Sequence, residues 1–134
     1  MYEFEISTNK RCELIPVDHL LGEAVSKSKL LEGTLIAFVP HTTAGILINE
    51  NADPAVRYDI LASLERKIPF TEGYLHQEGN SAAHIKASLV GSSVHVMING
   101  GRLKLGTWQS VFFAEFDGPR RRRLWVTTVP SHPK

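Results

Sequence analysis

Apolar and polar residues alternate from the start of the chain. Tyr2, Phe4 and Ile6 fall on one side and Glu3, Glu5 and Ser7 on the other, which is the period-two signature of a half-buried strand. Cys12 to Ile15 is expected to return beside it. After Pro16 the period changes: Val17, Leu20, Leu21, Ala24 and Val25 recur at helical spacing, Lys27 and Lys29 suit the negative end of the helix dipole, and Gly33 is expected to stop the helix. Thr34 to Val39 and Ile46 to Ile48 read as two strands separated by His41-Thr42-Thr43-Ala44-Gly45. Asp53-Pro54 starts a second helix, because Asp can cap orphan N–H groups and Pro is tolerated at the first helical position. This helix turns Val56, Ile60, Leu61 and Leu64 inward and closes near Pro69. Asn80-Ser81 opens a third, which ends at Gly91.

Beyond Gly91 the chain is strand-rich. Val94, Val96 and Ile98 alternate up to the turn signal Asn99-Gly100-Gly101, and Leu103 and Leu105 continue the alternation. Thr107 to Phe116 and Leu124 to Val129 are the last two strands, joined across Asp117-Gly118-Pro119. The regular strand–helix alternation of a doubly wound parallel sheet is missing, so the pattern predicts an α+β fold with a mainly antiparallel sheet and about three helices. A chain of 134 residues with no linker or repeat is expected to form a single domain, residues 1–134.

Charge narrows the partners. A formal net charge of +1 gives no whole-domain attraction to nucleic acid or anionic lipid. Arg120 to Arg123 is the one basic run, and because it leads into a strand it reads as a solvated edge or a subunit contact before a nucleic-acid site. Leu35 to Val39 is far short of the ~20 apolar residues of a membrane span. The first residues lack the pattern of a signal peptide, so a cytoplasmic location is expected. Cys12 has no partner for a disulfide and reads as a small buried apolar residue.

Polar residues collect where these elements meet: His41-Thr42-Thr43, Asn49 to Asp53, His76 to Asn80, His84, and Gly106 to Gln109. Loops at strand and helix ends can converge on one cleft. His41, His76 and His84 offer imidazole nitrogens to a divalent cation, with Glu78 or Asp53 as ligand or base. Their spacing matches no standard zinc motif, and surface or capping histidines are the plainer reading. His19, His95 and His132 are set aside. Asp53 has a structural role available as a helix cap, with Asn49 and Glu50 solvating a turn. Thr42, Thr43 and Thr107 can present hydroxyls and backbone N–H groups to a phosphate. Trp108 can stack on a heteroaromatic ring whose edge Gln109 reads, although a strand tryptophan is more often core.

Taken together, His41-Thr42-Thr43-Ala44, Asn49-Glu50-Asn51-Ala52-Asp53-Pro54, Glu78-Gly79-Asn80, Ala83-His84-Ile85-Lys86-Ala87-Ser88-Leu89 and Gly106-Thr107-Trp108-Gln109 resemble the YjbQ-like family. The likeness runs from the first strand to the last. It implies a homotrimer of α+β subunits with a histidine-rich pocket that binds a metal in some members, and the secondary thiamine-phosphate synthase activity for which the family is named. Carried onto this chain, it implies His41, His76 and His84 as ligands of a divalent metal, zinc or magnesium. Asp53, Glu78 and Gln109 become the polar catalytic groups. Thr42, Thr43, Asn49, Asn80, Lys86, Thr107 and Trp108 are then expected around a phosphorylated small-molecule substrate. Metal-assisted hydrolysis of a small phosphate or amide, and a non-catalytic trimeric binding module, are the alternatives.

Overall fold

The computed structural model describes residues 1–76 and 78–131; Gln77 and His132 lie outside the described residues. The strands are β1 (Tyr2–Ser7), β2 (Glu13–Pro16), β3 (Glu32–Phe38), β4 (Ala44–Glu50), β5 (Ser93–Asn99), β6 (Arg102–Lys104), β7 (Gln109–Glu115) and β8 (Arg121–Pro130). The helices are α1 (Asp18–Ser28), α2 (Pro54–Lys67) and α3 (Ser81–Val90). They build the expected α+β fold around two sheets, one ordered β1-β8-β3-β5-β6 and the other β2-β7-β4, with antiparallel pairing throughout.

Alternation along the strands sets the layers. Leu35 and Ala37 of β3, Val96 and Ile98 of β5, and Leu124 and Val126 of β8 point to the inner face of the larger sheet. There they meet Leu21, Ala24 and Val25 of α1 and Ile46, Val111 and Phe113 of the smaller sheet. β7 is apolar on both faces. Val111 and Phe113 enter this core, while Phe112 and Ala114, followed by Phe116, enter a second one closed by Ala83 and Ala87 of α3 and by Ile60, Leu61 and Leu64 of α2. Each fully buried phenylalanine contributes about 1.5–3 kcal/mol, which fixes the register of β7 between β2 and β4. No helix among the described residues is long and apolar enough to cross a membrane.

Several local expectations are corrected. Helix α1 ends at Ser28, with Lys29 in the left-handed conformation as its cap, so Gly33 does not stop it. Gly33 lies inside β3, where a Cβ would collide with the Val129 carbonyl of the adjoining β8; close backbone approach explains the glycine. β7 begins at Gln109, because Gly106 N–H donates to Gln109 Oε1 and closes a turn over residues 107–108. β8 begins at Arg121, three residues before the apolar run, since Arg121, Arg122 and Arg123 pair with Ser7, Ile6 and Glu5 of β1.

Candidate functional site

β3 leaves the larger sheet at Phe38 and the chain enters β4 in the smaller sheet at Ala44. The crossing segment carries His41, Thr42 and Thr43 along one wall of a cleft of about 700 Å³. Arg120 and Arg122, from the start of β8, complete that wall. The same cleft is lined by His76, Glu78, Asn80 and His84, supplied by the segment before α3 and by the first turn of α3 itself.

The basic wall is tightly tied. Arg122, only 3% exposed, donates from Nε to Glu115 Oε1 (2.8 Å) and from Nη2 to Glu115 Oε2 (2.5 Å), Thr43 Oγ1 (2.8 Å) and Thr43 O (3.3 Å). Glu115, fully buried, also accepts from Thr8 Oγ1 (2.8 Å) and from the Asp117 N–H (2.9 Å). Burial alone would raise the Glu115 carboxyl, but the hydrogen bonds from Arg122, Asp117 and Thr8 outweigh it and hold its pKa below the usual carboxylate value. Asp117 in turn accepts from Asn80 Nδ2 at 2.9 Å and pairs with Arg120 at 3.2 Å. The Asn80 side chain is thereby drawn away from capping α3, and its Oδ1 is buried without a partner among the described residues.

His41 is positioned by β8. The register pairs Phe38 with Trp125, so three residues further on the chain brings His41 beside Arg122 and Arg123. The backbone N–H of Arg123 donates to His41 Nε2 at 2.8 Å. An imidazole that accepts at Nε2 carries its proton on Nδ1 when neutral. Burial, with Arg122 next, lowers the His41 pKa and so favours the neutral ring. In the same cleft the His76 and His84 rings meet edge to face, 5.4 Å between centroids, and His76 Nε2 stands 3.9 Å from Glu78 Oε1.

The fit of a metal follows from these hydrogen bonds. His41 has no lone pair to offer in this geometry, since Nε2 receives Arg123 and Nδ1 bears the proton. Among the described residues no three His, Cys, Asp or Glu side chains are arranged to hold a metal ion. The residues therefore do not fit a centre built on three histidines; His76, His84 and Glu78 are the donors that stand near one another.

Seven expected residues share this cleft: His41, Thr42, Thr43, His76, Glu78, Asn80 and His84. The others lie elsewhere. Lys86 is 1% exposed, pairs with Glu65 at 2.7 Å and sits 5.0 Å from the Phe70 ring centroid, so it serves the second core. Asp53 caps α2 through a hydrogen bond from the Ala55 N–H at 2.9 Å. Asn49, Asp53, Thr107, Trp108 and Gln109 gather at the opposite end of the β4–β7 pair, where Glu50 faces Gln109, whereas Ala44 faces Glu115 at the cleft end. Six residue steps of strand separate these ends by about 20 Å. Trp108 belongs to neither core: it is 64% exposed in its turn.

Arg122 and Glu115 were not among the expected site residues. The available signal was the alternation of β8, which turns Arg122 to the same side as Leu124 and Val126. A charge on a core face demands a buried counter-charge. Arg121 and Arg123 face outward, toward Glu5 and Glu3 of β1; the expected edge is a solvated face instead, because β8 lies between β1 and β3.

Fold and site together define an α+β domain with a cleft lined by histidine and arginine donors, two further imidazoles and a carboxylate. The chain matches the family described as UPF0047 protein YjbQ-like over residues 2–131, and it belongs to that family. It is 51% identical over 129 residues to a UPF0047 protein of Methanocaldococcus jannaschii, covering 96% of this chain and 94% of the relative. To the UPF0047 protein YugU of Bacillus subtilis it is 46% identical over 123 residues, covering 91% and 93%. Its fold is similar to the crystal structure of a YjbQ/UPF0047-family protein from Clostridium acetobutylicum, with TM-score 0.95, 49% identity and coverage of 96% and 100%. It is also similar to a conserved hypothetical protein of Thermus thermophilus, with TM-score 0.90, 38% identity and the same coverage.

Proposed function

We propose that the cleft is the active site of a transferase of the secondary thiamine-phosphate synthase type. The thiazole ring nitrogen of one phosphorylated substrate forms a bond to the methylene carbon of a hydroxymethylpyrimidine pyrophosphate. The carbon–oxygen bond breaks, and pyrophosphate leaves with the electron pair. The observation that carries this reading is that one cleft gathers the donors of His41, Arg120 and Arg122 with the imidazoles of His76 and His84 and the carboxylate of Glu78. Donors fixed in advance stabilise the charge that develops on the leaving group, and the imidazoles and carboxylate of the same cleft are available to the carbon that becomes positive. No step is routed through a metal, since among the described residues no three His, Cys, Asp or Glu side chains are arranged to hold one. Purified protein incubated with both substrates and magnesium should form thiamine phosphate. Absence of product, with both substrates recovered intact, removes this reading.

The His76–Glu78 pair at 3.9 Å favours a second one, hydrolysis of a small phosphate ester or amide with that pair activating water. A panel of such esters and amides, followed for release of phosphate or amine, separates the two. The homotrimer belongs to this proposal as well. Outward-facing Phe38 and Trp125 stack at 5.9 Å beside the cleft, and exposed Ile36 and Met97 extend the apolar surface. In such an assembly we place the Asp53 and Gln109 end of one subunit at the cleft of the next.

A further inference from the structure

The guanidinium of Arg122 has five N–H donors in a fixed plane. Nε and Nη2 face Glu115 and Thr43, which leaves Nη1 without a hydrogen bond among the described residues in a side chain that is 3% exposed and lines the cleft. One residue further along β8, the Arg123 N–H fixes His41 so that Nδ1–H is the ring donor still free among the described residues. His41 and Arg122 line the same wall. Neither group can easily turn away: Glu115 holds the arginine by two of its nitrogens, and the strand backbone holds the imidazole.

We propose that His41 and Arg122 form a single oxyanion subsite, which takes a phosphoryl or pyrophosphoryl group of the substrate through His41 Nδ1–H and the Arg122 Nη1 amino group. This inference rests on the reading of the cleft as a substrate site and deepens it by assigning its anionic half. It also gives His41 a role distinct from metal ligation: the ring is a hydrogen-bond donor whose tautomer is set by Arg123. Glu115 balances the charge of Arg122, so what the subsite offers is directed donors and not a free positive charge. Bidentate or tridentate oxyanions suit such donors better than a halide does. Glu78, which lines the same cleft and pairs with His76, repels an anion and so favours the His41 and Arg122 donors as its seat.

The test is calorimetric titration with inorganic pyrophosphate and, separately, inorganic phosphate, using chloride as the control anion. Wild-type protein should bind pyrophosphate, and His41→Phe should weaken it at least about ten-fold, the loss expected for one charge-assisted hydrogen bond. Because Arg122 alone cannot be removed without stranding Glu115, the partner variant is Arg122→Met/Glu115→Leu, which should fold and lose pyrophosphate binding by a similar or larger factor. Nitrogen-15 NMR of the histidine side chains should find His41 as the Nδ1–H tautomer at neutral pH, unmoved by added zinc and shifted by pyrophosphate. Pyrophosphate binding that is absent in the wild type or unchanged in both variants overturns the proposal, and so does a His41 ring that zinc converts to the Nε2–H form. A protein that binds pyrophosphate in this manner but forms no thiamine phosphate would sink the synthase reading and leave the subsite standing.

Discussion

The buried pair of Arg122 and Glu115 offers a direct test of how the cleft is held. Glu115→Gln keeps the shape of the side chain and removes its charge. In the native protein four hydrogen bonds converge on this carboxylate, from Arg122 Nε at 2.8 Å, Arg122 Nη2 at 2.5 Å, Thr8 Oγ1 at 2.8 Å and the Asp117 N–H at 2.9 Å. Glutamine retains one acceptor oxygen, so its amide nitrogen must face donors, and the Arg122 charge is left in the interior without compensation. Breaking a buried pair from one side costs about 3–5 kcal/mol, a large part of the 5–15 kcal/mol that holds a typical domain together. With a urea m-value of about 2 kcal/mol/M, the denaturation midpoint should fall by roughly 2 M at fixed protein concentration. Arg122→Met/Glu115→Leu removes both charges and should recover most of that loss, because an apolar replacement of a buried pair is often neutral or stabilising. A midpoint shift of less than about 0.5 M for Glu115→Gln, or a double variant as unstable as the sum of its single changes, would refute the assignment of this pair as the internal brace of the cleft.

Further expectations follow from the same geometry. The His41 and Glu115 pKa values are both lowered on folding, so each contributes stability that is present above its unfolded value and lost as pH falls through its folded value. Thermal scans should therefore show stability declining below about pH 6.5 through His41 and more steeply below about pH 4 through Glu115, and a melting temperature that rises on acidification would contradict this. Lys86→Met, read by urea denaturation, should change stability by no more than about 1 kcal/mol, since Glu65 is half exposed and can be rehydrated; a larger loss would mean that the ammonium has a stronger role than its pair with Glu65. Asp53→Ala removes the α2 cap and should cost about 1 kcal/mol whether or not turnover changes. On the proposal of a trimer with shared sites, mixing His84→Ala and Asp53→Asn chains should regain activity that neither variant has alone, because some cleft–neighbour pairs would then be intact; no recovery would remove Asp53 from the neighbouring site.

Much of the fold was legible because its strands alternate cleanly. Tyr2 to Ile6 and Val94 to Ile98 each bury one face, and the Asp53-Pro54 pair does cap and open a helix. Legibility failed where a tertiary neighbour overrode a local signal. Gly33 looked like a helix stop, but its lack of a side chain serves the approach of β8. Thr107 and Trp108 continued an apolar run, yet the Gln109 side chain folds the backbone into a turn before the ladder begins. Asn80 is a favourable capping residue whose amide is drawn to Asp117 instead. At the site, sequence grouped the polar residues by type but had no measure of the length of β4, which places them at two ends of one strand pair.

The cleft also shows how strand register decides chemistry. In β8 the period of two sends Arg121 and Arg123 to the glutamates of β1 and turns Arg122 inward, so three adjacent arginines occupy two unrelated environments. Inward placement requires Glu115, and Glu115 is available because β7 pairs it with Ala44 at the cleft end of β4. The same register leaves the Arg123 N–H directed at the segment after β3, where His41 meets it. Shifting β8 by one residue would exchange the two faces, exposing Arg122 and burying Arg121 and Arg123 against the core. It would also strip His41 of the hydrogen bond that selects its tautomer. A set of donors built in this way has its protonation and direction fixed by strand register in both sheets, β8 in the larger and β7 in the smaller.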